Sequence, residues 1–215
     1  MQTSNSPALP VRVDADLCRR DGLCAMVCPL GIMGAQSDGL AVVSEALAPR
    51  CIACGHCVAI CPSGALSLNG LPGGAGQPLD KALCVSLEQA EQLLKSRRSV
   101  RSFKPQPPDR ALLTRLLSDA EYAASGHNAR PTEWSVLHGR VAVAGVAALT
   151  VEWMRGVIEG APEVAKRYHM KGIVRAHEAG QDIICRGAPC LAVAHGPEAG
   201  ATPREDGVIA LTYLE

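Results

Sequence analysis

Cys18-Arg19-Arg20-Asp21-Gly22-Leu23-Cys24-Ala25-Met26-Val27-Cys28-Pro29 and Cys51-Ile52-Ala53-Cys54-Gly55-His56-Cys57-Val58-Ala59-Ile60-Cys61-Pro62 are two versions of one pattern, offset by 33 residues. Cys18 falls on Cys51, Gly22 on Gly55, Cys24 on Cys57, Cys28 on Cys61, Pro29 on Pro62, and beyond them Gly31 on Gly64. One position breaks the repeat: Asp21 stands where the second half has Cys54. Three thiolates in one tight loop can hold three corners of an iron–sulfur cube, while a fourth cysteine before a proline is carried by the chain to the other cube.

The spacing resembles that of two-cluster bacterial ferredoxins. On that alignment one cluster takes Cys51, Cys54, Cys57 and Cys28, and the other takes Cys18, Cys24, Cys61 and Asp21. A carboxylate is a harder ligand than a thiolate and holds iron less firmly. Ferredoxins with Asp at this position carry either an Asp-ligated 4Fe-4S cluster or a 3Fe-4S cluster with that corner open, and both alternatives stand for Asp21, since Asp-Gly is also an ordinary turn pair. Structural zinc favours two separated C-x2-C pairs, whereas the second run crowds its sulfurs too densely for one tetrahedron. A zinc-bound interaction protein is thus the weaker reading. His56 reads as a solvent-facing loop residue.

Ten cysteines packed in this way, with no basic and apolar leader between Met1 and Pro10, point to a reducing compartment rather than to disulfides. Lys and Arg number 21 and Asp and Glu 21, so no charge imbalance suggests nucleic acid. The apolar stretch from Val141 to Val151 is interrupted by Glu152 and Arg155, short of the roughly 20 residues of a membrane span. The expectation is a cytoplasmic protein with neither a nucleic-acid nor a membrane partner.

The punctuation divides the chain into a cluster domain over 1–70, a linker over 71–84 and a larger domain over 85–215. Val11–Val13, Leu40–Val43 and Ala65–Leu68 read as short strands around the cluster loops. Gly70, Pro72, Gly73, Gly74, Gly76 and Pro78 mark the linker. So small a cluster domain buries little core, and its clusters supply much of its folding energy. In the larger domain, Ser86-Leu87-Glu88-Gln89 is a capping-box pattern opening a helix to about Arg97. Asp109 to Ala124 reads as a helix with Leu112, Leu113, Leu116, Leu117 and Ala120 on one face. Trp134–Leu137 reads as a strand, Val141–Ile158 as a largely buried helix, Pro189–Ala194 as a buried strand and Glu205–Glu215 as the start of a helix. Most of these elements suit an α+β layer structure.

Two motifs in this domain carry chemistry. Arg97-Arg98-Ser99-Val100-Arg101 offers guanidinium forks and a hydroxyl suited to a phosphate, although cations at a helix C-terminus also simply complement its dipole. Ala124-Ser125-Gly126-His127-Asn128-Ala129-Arg130-Pro131 combines small residues that admit a planar ligand with an amide that can pair ring atoms, and it also has the composition of a polar turn.

In this order and spacing the two motifs resemble the nitroreductase family of FMN enzymes. Gly187-Ala188-Pro189 before a strand and Asp206-Gly207 leading into Ile209–Leu214 are similar to that family too, and members fused to an N-terminal two-cluster ferredoxin form a subgroup. The resemblance implies that Arg97, Arg98, Ser99 and Arg101 hold the FMN phosphate or ribityl chain. It implies that Ser125, Gly126 and Asn128 line the flavin, often across a homodimer interface, with Arg130 at a position where many members have Gln. No side chain stands out as an acid or base, because the chemistry belongs mainly to the flavin. The chain ends at Leu214-Glu215, where family members continue with a further flavin loop and strand, so the flavin domain is expected to be incomplete.

The leading expectation is therefore an iron–sulfur flavoprotein oxidoreductase. It would pass electrons from an external donor through the clusters to FMN, and on to a small-molecule acceptor such as a nitro compound, quinone or activated alkene. No G-x-G-x-x-G follows a strand, so direct nicotinamide use has no support from a Rossmann motif, although the flavin family can accept it at the flavin face. The alternative is an electron-transfer ferredoxin module with an inert flavin domain. Cys84, Cys185 and Cys190 lie outside the cluster set and read as small buried hydrophobes.

Overall fold

Two compact units divide the chain in a computed structural model that describes residues 9–69, 78–200 and 202–215. The first takes the chain up to Ser86 together with His127–Ala129; the second takes Leu87–Gly126 and Arg130–Glu215.

The repeat in the sequence becomes a repeat in the first unit. Its elements are β1 (Val11–Val13), α1 (Leu23–Met26), β2 (Met33–Ala35), β3 (Ala41–Val43), α2 (His56–Ile60) and β4 (Leu66–Leu68). β1 pairs antiparallel with β4 (Val11 opposite Leu68) and β2 with β3 (Met33 opposite Val43), so the ribbon formed by β1 and β4 ties the two ends of the unit together. Strands of three residues are too short to stand alone. They are held by one core of Val11, Ile32, Met33, Val43, Val58, Leu66 and Leu68, into which Cys24 and Cys57 are also buried. Gly22 and Gly55 open α1 and α2 at φ 70° and 75°, a left-handed turn that a side chain would resist. His56 is exposed as expected, but it begins α2 rather than lying in a loop. Half of the expected linker, residues 71–77, lies outside the described residues; within its remainder Lys81–Leu83 forms a 3-10 turn.

The second unit runs α3 (Leu87–Ser96), α4 (Arg110–Ala120), β5 (Glu133–His138), α5 (Arg140–Gly160), α6 (Pro162–Arg167), α7 (Met170–Glu178), β6 (Cys190–His195) and α8 (Pro203–Leu214). Asp109 caps α4, its carboxylate accepting the N–H groups of Ala111 (2.7 Å) and Leu112 (3.4 Å). β5 and β6 form an antiparallel pair with Glu133 opposite His195 and His138 opposite Cys190. Helix α5 packs on α6, α7 and the β5–β6 ribbon, and α4 packs on α8.

Three expectations are corrected in this unit and its approach. Helix α5 is not largely buried: Val143, Ala147 and Val151 form one buried stripe, while Val141 is 90% exposed, Leu149 73% and Trp153 61%. The neighbours of α5 cover one face only, and an apolar helix keeps its other faces bare unless something else packs there. By length and composition α5 is also apolar enough to cross a membrane, which Glu152 and Arg155 do not prevent. Strand β6 is half-buried rather than buried, since it has a single paired neighbour. Cys84 is exposed, and Cys185 and Cys190 are half-buried.

Candidate functional site

Four cysteines drawn from both halves of the repeat line one cavity in the first unit: Cys28, Cys51, Cys54 and Cys57, with Ile32 and Met33 behind them. The tight loop over 51–57 supplies three of these thiols, and Cys28 arrives from the end of α1, its chain leaving through Pro29. Cys18, Cys24 and Cys61 gather in the same crossed fashion. Burial pushes the Cys24 thiol up, and the neighbouring Cys18 and Cys61 add to that against two backbone N–H groups. Cys57 repeats the behaviour, raised first by burial and further by Cys54 and Cys28.

The cysteines before each proline behave in the opposite way. At Cys28 burial pushes the thiol up, but the N–H groups of Met33, Leu30, Ile32 and Gly31 outweigh it and the net shift is down. At Cys61 burial is again the largest influence, and the Ser63 hydroxyl with the N–H groups of Ala65, Ser63 and Gly64 turns the net shift downward. Three of these amides correspond across the repeat, Leu30 with Ser63, Gly31 with Gly64 and Ile32 with Ala65. Gly31 (φ 63°) and Gly64 (φ 65°) turn the chain so that its amides face the sulfur. Amide donors of this kind stabilise thiolates and tune a sulfur-bound cluster.

Among the described residues, no group of three or more His, Cys, Asp or Glu side chains closes on a point suited to a single metal ion. A tetrahedral zinc would draw its sulfurs to within about 4 Å of one another. Four thiols round one cavity, with Cys18 and Cys61 neighbouring Cys24 in a second place, have the donor chemistry of polynuclear clusters. Asp21 is exposed, and its carboxylate accepts the Leu23 N–H at 3.1 Å, the Asx turn that leads into α1.

In the second unit a cavity of about 240 Å³ lies against Ser125 and Arg130, with Thr132, Trp134 and Asp206 among its other walls. The Ser125 hydroxyl accepts the Arg130 N–H at 2.9 Å, which closes the intervening loop. Within that loop His127, Asn128 and Arg130 take left-handed φ values of 53°, 56° and 44°. Such backbone costs of order 1 kcal/mol for a non-glycine residue and persists where its surroundings enforce it. The Asn128 amide is occupied: its Nδ2 donates to the carbonyls of Ile52 (3.1 Å) and Ala53 (3.0 Å), residues of its own compact unit.

Arg97, Arg98, Ser99 and Arg101 are all exposed in the chain after α3, and none lines the cavity beside Ser125. Arg97 pairs with Glu215 at 2.6 Å, and Arg98 turns back onto the carbonyls of Lys95 (2.9 Å) and Arg97 (2.7 Å) at the end of α3. Three guanidinium groups and a hydroxyl within five residues are nonetheless the donor set a phosphate requires. Asp206, to which sequence reasoning attached no role, is the buried charged side chain of the described residues. Its sequence signals are the Asp206-Gly207 pair of the family resemblance and an acid three residues past Pro203 in the first turn of a helix.

The 4Fe-4S dicluster domain model matches residues 10–62, and the nitroreductase family model matches residues 94–212, more than half of the 215 residues. The chain belongs to the nitroreductase family. It carries a 4Fe-4S dicluster domain ahead of the nitroreductase-like domain, and is an iron–sulfur, flavoprotein-type oxidoreductase of α+β fold. No curated protein was found to match. Among solved structures it is similar to a BluB-like flavoprotein from Clostridium difficile 630, at 14% identity over 58% of this chain and 67% of that one, with a TM-score of 0.46. Two point mutants of the FMN- and NADPH-dependent nitroreductase NfnB from Sphigopyxis sp. strain HMH match at 28% and 26% identity. Each covers 58% of this chain, against 68% and 66% of theirs, and both have a TM-score of 0.40.

Proposed function

We propose that the chain takes single electrons from an external donor through two iron–sulfur clusters and delivers them in pairs, by way of FMN, to an electron-poor organic acceptor such as a nitro compound, quinone or activated alkene. The observation that carries this reading is the cavity lined by Cys28, Cys51, Cys54 and Cys57, joined in one chain to a nitroreductase domain. Bound clusters supply one-electron transfer, and bound FMN supplies the exchange between one and two electrons.

The chain's own part is to hold and tune. Cys28, Cys51, Cys54 and Cys57 would ligate one cluster, and Cys18, Cys24 and Cys61 three corners of the other. Asp21 would be the fourth ligand or leave that corner open, and its Asx turn favours the open corner. The amides around Cys28 and Cys61 favour the thiolate form of those sulfurs. Arg97, Arg98, Ser99 and Arg101 would grip the FMN phosphate, with Ser125, Gly126, Asn128 and Arg130 along the flavin. The uncovered apolar face of α5 would take a second copy of the chain, since a homodimer is the common state in this family and buries such a face without a lipid partner. The cytoplasm, where thiols stay reduced, suits the cysteine set.

Anaerobic purification with iron, sulfide and FMN quantified, and EPR before and after dithionite, tests the reading. Two clusters with near-stoichiometric FMN support it. Clusters with no flavin, even after FMN is supplied, leave an electron-transfer module with an inert flavin domain. Sedimentation of the same preparation tests the dimer.

A further inference from the structure

Asp206 spends both carboxylate oxygens on one junction. Oδ1 accepts the backbone N–H of Gly126 at 3.0 Å, and Oδ2 accepts the Thr202 hydroxyl at 3.1 Å. The Asp206 N–H in turn donates to the Thr202 carbonyl at 2.9 Å, so the first turn of α8 closes on itself around the carboxylate. The group is 5% exposed, and a buried carboxylate is tolerated where hydrogen bonds replace its lost water.

Gly126 fits the junction for a steric reason. Its φ is not left-handed, so no conformational demand excludes a side chain. A Cβ built there would collide with Thr202 Oγ1, the same atom that donates to Asp206. The backbone at Gly126 is therefore pressed against α8 while its N–H is held by Asp206. The neighbouring Ser125 is fixed from the other side by the Arg130 N–H. Asp206, Ser125 and Arg130 all face the cavity of about 240 Å³.

From this geometry we infer that Asp206, with Thr202, is a positioning residue that sets the height and direction of the Ser125–Gly126 backbone along the flavin. The inference rests on the FMN reading given above. A loop of small residues admits a planar ring closely only if it is held still, and a hydrogen-bonded carboxylate behind the loop holds it without occupying the ligand's space. Asn can accept from Gly126 and donate to Thr202, and so can keep both contacts; Ala keeps neither.

The test uses the full chain with its clusters loaded, and reads FMN binding by quenching of flavin fluorescence alongside amide exchange of the segment containing Gly126. Asp206→Ala is expected to speed that exchange and to weaken FMN binding about tenfold, the consequence of leaving two half-buried donors unpaired. Asp206→Asn restores both. Thr202→Val, which removes one donor and keeps the carboxylate, gives a smaller shift in the same direction and carries the test if the alanine variant does not fold. Gly126→Ala weakens FMN binding, and adding Thr202→Ala recovers part of the loss by removing the colliding oxygen. FMN bound at wild-type strength by Asp206→Ala, or by Thr202→Val in its place, while exchange quickens overturns the inference and leaves the FMN reading intact. A wild-type chain that takes up no FMN overturns both.

Discussion

The two cysteine loops of the first unit share a backbone and differ in one side chain, Asp21 against Cys54. Arg20 and Ala53 both sit at left-handed φ (57° and 51°), followed by Gly22 and Gly55 and later by Gly31 and Gly64 at matching angles. Cys24 and Cys57 are raised together, and Cys28 and Cys61 are lowered together. Against this constancy, Cys54 lines the cavity while its counterpart Asp21 turns its carboxylate to the Leu23 N–H. The frame is set by turns, amides and the shared core, so one corner can change its donor without changing the fold. Cluster type is thereby separable from architecture.

The harshest way to break the comparison is to remove both clusters. Stripping iron with an oxidant and a chelator should unfold the first unit, because three-residue strands and a small core do not hold it alone. Amide exchange across 10–69 should become fast throughout, while α5 and α7 keep their protection; persistent protection at Val11 and Leu68 would show that the core suffices.

A sharper cut exchanges the ligands. Asp21→Cys should bring the two loops to equal donor sets and raise iron content toward two full cubes, with loss of any 3Fe-4S EPR signal. Cys54→Asp should do the reverse in the second loop. Identical spectra from wild type and Asp21→Cys would mean that Asp21 already serves as a full ligand.

An intermediate effect is expected in the second unit, where a carboxylate rather than a cluster organises a loop. Asp182 accepts the N–H groups of Ile184 (3.0 Å), Cys185 (2.8 Å) and Gly187 (3.0 Å). Burial pushes its carboxyl up, but these amides with that of Arg186 outweigh it and hold it below 3.8. The folded form therefore binds its proton less readily than the unfolded form. Its stabilisation is present above the ordinary carboxylate range and is lost as pH falls from near 4 through the lower folded value. Asp182→Ala should cost about 1–3 kcal/mol at neutral pH, and the difference from wild type should shrink on acidification, as thermal melts at several pH values would show.

The smallest effect belongs to Arg20. It pairs with Asp38 at 3.4 Å, with both side chains about half exposed. Arg20→Ala should change stability by less than about 1 kcal/mol, and a larger loss in chemical denaturation would mark the pair as part of the cluster frame.

The convergence of Cys28 with Cys51, Cys54 and Cys57 on one cavity was legible in the sequence because cysteine spacing is local. Six residues of chain limit where a sulfur can be, and a proline sends the next one elsewhere. Helix α4 and the strands β1, β3, β4 and β5 were legible for the same reason, being written in neighbouring side chains. Strand β2 and helix α6 went unread because their short runs carry too little periodicity, and α7 went unread although its nine residues are amphipathic, with Met170 and Val174 buried on one face. Whether α5 was buried could not be read from α5, since its exposure depends on which neighbours reach it. The occupied amide of Asn128 and the Asp206 clamp join residues 75 to 80 positions apart, and no local pattern announces such a pair. The sequence by itself determined where the cysteine repeat and the flavin-family motifs lie, through spacing and turn chemistry acting over a few residues. Only the tertiary structure decided which surfaces stay bare and which buried carboxylate holds the loop, because burial and long-range hydrogen bonds exist only once distant segments have met.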